Sequence, residues 1–306
     1  MCQGLFYTSY QTSRDVASTF YALSAIAAAF GNTFCLVVLW QPSFRSKSYK
    51  ILSSLALSDC CTGYVALPLA CWMIQNGYQV NETTCIIEDI YSLTAIWMVS
   101  VSSCSIVFIA YDRFLLITKF ANYHNILTNR KVTLIISSYW IIIFFLAFGT
   151  NYNVYLYVWY NFAAITLPII FLFCSYFYIW KAVKQSRRRV ETNTVSDRRQ
   201  TQRQIKLAHK VFIIIIGYLI ALLPSLTFVI LIQINNSNPG FLSLDFITNT
   251  FLVVAYIGLS NSCVNPLVYV WGDPEFRRAC RQLLRRRSAK VENRPTDIDS
   301  TGVANP

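Results

Sequence analysis

The feature that most constrains the fold is a long uncharged stretch that ends in two opposite charges. From Ile90 to Ala110 the chain carries no charged side chain, and Asp112 and Arg113 then stand side by side. A helix of about 20 mostly apolar residues crosses the hydrocarbon core of a bilayer. Charged residues at the end of such a helix are costly and mark a functional site by default. The stretch therefore predicts a membrane-spanning helix with a functional charged end.

Six further runs of this kind divide the chain, so seven spans are predicted. They are Val16–Trp40, Ile51–Gln75, Ile86–Thr118 without its charged ends, Val132–Phe148, Val154–Trp180, Val211–Ile234 and Phe246–Trp271. Each is read as a helix, because an open strand edge cannot satisfy its backbone in lipid. Only 13% of the 306 residues are charged, against roughly 25% in soluble domains. The predicted fold class is an all-α membrane protein, a seven-transmembrane helix bundle with a short amphipathic eighth helix.

The distribution of Lys and Arg predicts the orientation. With the N-terminus outside, residues 41–50, 112–131, 181–210 and 272–306 lie inside and hold 25 of the 26 basic residues. Only Arg14 is left outside, which follows the positive-inside rule. The predicted organisation is an extracellular N-terminus (1–15), the bundle (16–271), an amphipathic membrane-surface helix (272–287) and a disordered cytoplasmic tail (288–306). The net charge of +12 is thus a topology signal, and no nucleic-acid partner is expected.

Catalysis and zinc binding find no support in the sequence. The ten cysteines show no CxxC spacing and there are two histidines, so the clustered ligands of a tetrahedral zinc site are missing. No nucleophile stands beside a candidate base. An enzyme is therefore not expected, and no cofactor is required apart from a possible bound sodium ion.

Several polar residues fall at similar depth inside the spans. Asp59 is in the middle of the second span, where an ionised carboxylate needs a partner. The others are Ser102 in the third span and Asn261, Ser262 and Asn265 in the seventh. Oxygen ligands with a single negative charge suit a small hard cation. A protonated Asp59 in a polar packing network is an equally good interpretation. Pro266 follows Asn265 and loosens the end of the seventh span, with Tyr269 closing it.

Motifs in the right order across the seven spans carry a resemblance to a known family. They are Gly31-Asn32, Leu55-Ala56-Leu57-Ser58-Asp59, Asp112-Arg113-Phe114, Trp140, Pro168, Tyr176, Pro224, Asn265-Pro266-Leu267-Val268-Tyr269 and the helix from Asp273 to Leu284. From about Gly31 to Leu284 the chain resembles the rhodopsin-like (class A) G-protein-coupled receptors. Its second inner loop, from Tyr123 to Thr128, resembles that of melanocortin receptors. Pro168 in the fifth span does not fit this subgroup, because melanocortin receptors typically lack a proline there. The grouping of melanocortin, lipid, cannabinoid and adenosine receptors is therefore the nearest.

The resemblance implies a function and residues for it. An extracellular ligand would lead to activation of a heterotrimeric G protein at the plasma membrane, through Asp112, Arg113, Tyr176, Asn265, Pro266 and Tyr269. Asp59, Ser102, Asn261, Ser262 and Asn265 would form a sodium pocket. The family's sixth-span tryptophan is replaced in Ala221-Leu222-Leu223-Pro224, and Gln204 replaces an acid that often holds the arginine. A scaffold that has lost coupling, or less plausibly a transporter, is the alternative.

The sequence is compatible with more than one class of ligand. A largely apolar pocket is predicted from Ala95, Val99, Leu222, Leu226 and Ala255, with Glu88 and Asp89 at its mouth. An apolar or lipid-like ligand and a basic peptide both fit. Ala95 stands where amine receptors carry aspartate, which argues against a monoamine. Other predicted features are a disulfide from Cys85 to Cys2 or Cys71, glycosylation of Asn81, and palmitoylation of Cys280 near membrane lipids.

Overall fold

The structure is a computed structural model that describes residues 11–44, 46–76, 81–119, 122–190, 195–267 and 276–283. Throughout these ranges the secondary structure is helical and no strand occurs. The predicted all-α class is therefore confirmed. The N-terminal ten residues, Tyr269, the predicted start of the eighth helix at Asp273 and the predicted tail lie outside the described residues.

Seven helices in the described ranges are long and apolar enough to cross a membrane. They are α1 (Gln11–Leu39), α2 (Lys47–Asn76), α3 (Glu82–Thr118), α4 (Asn129–Thr150), α5 (Val154–Val190), α6 (Val195–Ser237) and α7 (Leu244–Ser260, continued by a 3₁₀ turn Asn261–Cys263). Each overlaps one predicted span, so the predicted bundle is confirmed. Helices α5 and α6 run well beyond their apolar spans, because charged residues continue a helix in water as readily as apolar ones do in lipid.

The crossing of α1 and α2 is unusually close. Helix α2 contains a π-helical turn, Thr62–Ala66, and within it Gly63 lies against the backbone of α1. A Cβ atom on Gly63 would stand 2.4 Å from the backbone nitrogen of Ala29. Only a glycine allows the two backbones to approach this far, so this contact sets the distance between α1 and α2.

Buried apolar side chains form two main clusters, and we name the end of α3 that carries Asp112 the inner end and the end that carries Glu88 the outer end. The inner cluster surrounds the charged end of α3 and includes Ile106, Ile109, Leu115 and Tyr123. The outer cluster joins α1 and α2 to α7 and includes Tyr21, Met73 and Leu252. Many large apolar side chains outside these clusters are exposed, as expected of a surface that faces lipid.

Residues 276–283 form an eighth helix, α8, after α7. Phe276 is buried and its ring lies 6.4 Å from that of Phe44, while Arg278 and Arg281 are exposed. One side of α8 therefore packs on the bundle and the other carries positive charge. This is the amphipathic helix that the sequence predicts.

Candidate functional site

The inner end of α3 holds a buried carboxylate with a hydrogen bond to each oxygen. Asp112 is 1% exposed. Its Oδ2 accepts a hydrogen bond of 2.8 Å from the Ser48 hydroxyl, and its Oδ1 accepts one of 2.6 Å from the Tyr123 hydroxyl. The Nε of Arg113 lies 3.9 Å from Oδ2, and the Arg113 side chain is 21% exposed. Asp112 is therefore fixed by three neighbours, whereas Arg113 remains accessible at the surface.

Tyr123 reaches Asp112 because a second cation holds the loop between α3 and α4. Tyr123–Ile126 form a single helical turn. The Lys47 ammonium donates a hydrogen bond to the Leu127 carbonyl oxygen, lies 3.3 Å from Nδ1 of His124 and stands 4.7 Å from the centre of the Tyr123 ring. Burial, reinforced by the hydrogen bond to Asp112 and by the charge of that carboxyl, raises the pKa of Tyr123 to about 12. Tyr123 is therefore protonated at neutral pH and donates to the carboxylate.

Sequence reasoning missed the roles of Ser48 and Tyr123. The signal in the sequence is weak, since a hydroxyl at the start of α2 and a tyrosine in a loop are common.

The other residues of the predicted coupling set fall in different parts of the structure. Tyr176 is half-buried and packs against the inner cluster, while Tyr269 lies outside the described residues. The side chain of Gln204 is also outside the described part.

Beside the middle of α3, a second buried carboxylate, Asp59 of α2, accepts hydrogen bonds from α3 and from the end of the seventh span. Asp59 is fully buried. Its Oδ1 accepts hydrogen bonds from Ser102 (3.3 Å) and Ser262 (2.8 Å), and its Oδ2 accepts one of 2.6 Å from the Asn265 amide. Four of the five residues of the predicted sodium pocket are thus together. Asn261, the fifth, is half-buried and does not hydrogen-bond to Asp59.

The backbone next to this cluster is held by Asn32 of α1. Its amide nitrogen donates hydrogen bonds of 2.9 Å to the carbonyl oxygens of Ala28 and Ser262. Pro266 lies against Gly31, whose Cβ, if present, would be 3.1 Å from the proline Cγ. Gly31 and Asn32 of α1 thus contact the same end of the seventh span that carries Asn265 and Pro266. They place the Ser262 and Asn265 side chains toward Asp59.

The donor set around Asp59 fits a monovalent hard cation. It offers two carboxylate oxygens and the hydroxyl oxygens of Ser102 and Ser262, with a single negative charge. Within the described residues no group of three or more His, Cys, Asp or Glu side chains could hold a metal ion.

An open cavity of about 300 Å³ lies at the outer end of the bundle, between α3, α5, α6 and α7. Six of the seven predicted ligand-binding residues line it: Glu88, Asp89, Ala95, Val99, Leu222 and Ala255. Leu226 is half-buried and is not among the residues that line the cavity, whereas Ser225 and Val229 of the same helix are. Its role in ligand binding stays a prediction.

The walls of the cavity are more polar than the sequence interpretation held. Ser92, Ser103, Asn161, Ser225 and Gln233 all line it, beside the expected apolar residues. A recognisable signal was present, since Ser225 and Gln233 are polar residues inside an apolar span and fall on one face of α6. Glu88 and Asp89 are its only charged lining residues within the described ranges. The cavity therefore has a negative outer end and an apolar floor.

The predicted modification sites have different outcomes. Cys85 is in a disulfide bond, and Cys71 is a free thiol. The pairing of Cys85 with Cys71 was therefore wrong, and its pairing with Cys2 concerns a residue outside the described part. Asn81 caps α3, its side-chain oxygen accepting from the backbone nitrogen of Thr84 at 2.9 Å, and its glycosylation stays a prediction. Burial raises the pKa of the Cys280 thiol, and palmitoylation there is likewise untested.

Comparisons with known proteins agree with this architecture. A family model described as the 7 transmembrane receptor (rhodopsin family) matches residues 31–152 and 146–269. Adenosine receptor A3 of Bos taurus is 23% identical over 314 residues, which cover 90% of this chain and 92% of that receptor. Histamine H2 receptor of Cavia porcellus is 23% identical over 95% of this chain and 85% of its own length. 5-Hydroxytryptamine receptor 2 of Aplysia californica is 25% identical over 90% of this chain and 76% of its own length.

The chain belongs to the rhodopsin family of seven-transmembrane receptors. It is a multi-pass membrane protein and a receptor, not an enzyme. The similarity to adenosine receptors confirms the wider grouping predicted from the sequence. The melanocortin-like character of the loop from Tyr123 to Thr128 stays a prediction.

Proposed function

We propose that this protein is a plasma-membrane receptor that binds an extracellular ligand in the outer cavity and activates a heterotrimeric G protein at its inner face. The N-terminus and Glu88 would then lie outside the cell and Arg113 inside. The distribution of basic residues supports this orientation, because 25 of 26 fall on the side of Arg113.

One observation carries the proposal. A single helix, α3, has 37 residues and lines the ligand cavity near one end while presenting Arg113 at the other. At 1.5 Å per residue it is about 55 Å long, so it passes through the whole membrane. A ligand that binds two conformations of the cavity with different affinity shifts their populations by that difference alone. Movement of the surrounding helices about α3 would then change what Arg113 offers to the G protein.

The cavity also bears on the ligand class. A volume of about 300 Å³ is at the lower end of the usual range for small-molecule sites. Acidic groups at the mouth and an apolar floor favour a small amphipathic ligand with a basic or hydrogen-bond-donating end. A basic peptide would insert only one side chain this far, and a lipid-like ligand would leave the amides and hydroxyls of α5 and α6 without partners.

We also propose that the Asp59 cluster binds sodium. Its oxygens and its single charge fit the ion, as described above, and the cluster lies between the cavity and the inner face. When bound, sodium would supply positive charge that stabilises ionised Asp59. The protein residues themselves hold α2, α3 and α7 together through Ser102, Ser262 and Asn265.

The test of coupling is Arg113→Ala. We expect loss of receptor-stimulated nucleotide exchange on the G protein, because the partly exposed guanidinium at the inner face is removed. Surface expression should be unchanged, since Arg113 is not buried in the core. Arg113→Lys, which retains the positive charge, should retain partial exchange. Full exchange by Arg113→Ala at equal surface levels would show that this mechanism is wrong.

A coupling-silent scaffold is the second candidate, and one observation favours it. Leu222 occupies the position of the family's sixth-span tryptophan and lines the floor of the cavity. If that tryptophan is required to transmit ligand binding, this receptor would not couple. The discriminating measurement is basal exchange on a panel of G-protein subtypes, which needs no known ligand. Exchange with none of them, from a receptor shown to reach the cell surface, would favour the scaffold.

A further inference from the structure

A second concave surface lies on the lipid-facing side of the bundle, at the same end as Asp112. It is a groove of about 580 Å³ between the end of α1, the first turns of α2 and the start of α4. The receptor function proposed above uses none of its residues. Trp40, Gln41, Lys50, Asn129, Thr133 and Ile136 line its polar and apolar parts.

The polar part of the groove is suited to an anion. The Lys50 ammonium is exposed and lies 3.4 Å from the Thr133 hydroxyl, so it stands across the gap between α2 and α4. Among the described residues of the lining, Lys50 is the one that is charged and none is acidic. The side-chain nitrogen of Gln41 is shielded from solvent and has no hydrogen-bond partner within the described protein. A shielded N–H donor without an acceptor is costly, and an anionic oxygen in the groove would satisfy it.

The apolar part of the groove is suited to a hydrocarbon chain. Trp40 is 71% exposed at the end of α1, and tryptophan is enriched where membrane helices meet the headgroups. Ile136 continues the apolar surface one turn further along α4, toward the middle of the membrane. A ligand for the whole groove would therefore carry an anion at the headgroup level and a hydrocarbon chain below it.

We propose that this groove binds an anionic phospholipid of the cytoplasmic leaflet, with the phosphate at Lys50 and Gln41 and an acyl chain along Trp40 and Ile136. Anionic lipids concentrate in that leaflet. The proposal depends on the orientation proposed above, which puts Arg113 and the groove on the cytoplasmic side. It does not depend on G-protein coupling. The bound lipid would connect α1, α2 and α4, the helices around the loop that holds Tyr123 against Asp112.

Lipid binding to the purified full-length receptor tests the proposal. The probe is phosphatidylserine, added to receptor in phosphatidylcholine nanodiscs, with bound lipid counted by native mass spectrometry and its affinity obtained by titration. We expect one tight phosphatidylserine site. Lys50→Ala should weaken it about fivefold, the effect of one basic residue near an anionic surface. Gln41→Leu should weaken it as well.

Lys181→Ala is the matched control. Lys181 is exposed on the cytoplasmic extension of α5, away from the groove. Lys181→Ala therefore removes one positive charge from the protein and leaves the groove unchanged. Thermal unfolding in phosphatidylcholine alone checks that each variant is folded. Equal phosphatidylserine affinity in wild type, Lys50→Ala and Gln41→Leu would overturn the proposal. A site that takes cholesteryl hemisuccinate in preference to phosphatidylserine would also overturn it, because the groove would then be a sterol site.

Discussion

The two ends of α3 carry acidic residues in different surroundings. At the inner end, Asp112 is buried and both of its oxygens accept hydrogen bonds from other parts of the chain. At the outer end, Glu88 is also buried but Asp89 is exposed, and both line a cavity of about 300 Å³. The inner carboxylate thus belongs to a closed network of the protein itself, whereas Asp89 borders space that a ligand can occupy. Under the proposed function, the inner end would be held in a resting state and the outer end would receive a signal.

The first test is a substitution that should destabilise the inner and the outer cluster at once. Gly63→Ala puts a Cβ 2.4 Å from the Ala29 nitrogen, so α1 and α2 must separate. Because α1 contributes to both the inner and the outer cluster, we expect a loss of about 3 kcal/mol of stability, the upper part of the range for overpacking. Surface expression and the thermal unfolding midpoint measure it.

Gly217→Ala is the matched control for this substitution. Gly217 lies inside α6, and a Cβ there meets nothing within 4 Å. Alanine favours a helix over glycine by about 1 kcal/mol, so the variant should be as stable as wild type or slightly more. Equal behaviour of the two alanine variants would show that the close crossing of α1 and α2 is not required for the fold.

The second test opens only the inner end. Tyr123→Phe removes a hydrogen bond of 2.6 Å to the buried Asp112 carboxylate, and bonds to charged groups contribute about 1.5–3 kcal/mol. We expect basal nucleotide exchange to rise several-fold, because Asp112 and its neighbour Arg113 lose a restraint. Ser48→Ala should act in the same direction. Tyr155→Phe, at a tyrosine that is 77% exposed, should change nothing. Unaltered basal exchange in Tyr123→Phe would argue that this network does not restrain coupling.

The spans and the Asp59 cluster could be predicted from the sequence, whereas the rotation of the helices and the fold of the loop at Tyr123 could not. Apolar runs and the order of motifs identify the spans and bring Asp59 and Asn265 to one depth, since hydropathy decides which segments enter the membrane. Hydropathy does not define how a helix is rotated about its axis, so Ser225, which lines the cavity, is not identified by it. The contact of Tyr123 with Asp112 depends on how a loop folds back, which no periodicity in the sequence reports.

The third test concerns the outer end. Asp89→Asn removes a negative charge from an exposed position on the cavity wall while retaining the shape of the side chain. Among small organic cations that raise the unfolding temperature of wild type, affinity should fall about tenfold, equivalent to about 1.4 kcal/mol. Basal exchange should not change. Asp245→Asn removes a charge of the same sign from an exposed position on α7 that does not line the cavity, and should have no effect. A similar loss for neutral compounds would exclude a charge-based role of Asp89.

The smallest effect is expected midway between the two ends, where the Asp59 cluster would connect them. Sodium that binds only the folded receptor stabilises it by about 0.8 kcal/mol at a concentration three times its Kd. Replacing sodium chloride by choline chloride should therefore lower the unfolding temperature of wild type by a small amount. In Asp59→Asn this difference should vanish, because the carboxylate that accepts from Ser102, Ser262 and Asn265 no longer carries charge. Asp245→Asn controls for the loss of one charge elsewhere. A sodium effect that persists in Asp59→Asn would place the ion at another site, and the inner and outer ends would then be connected through helix packing alone.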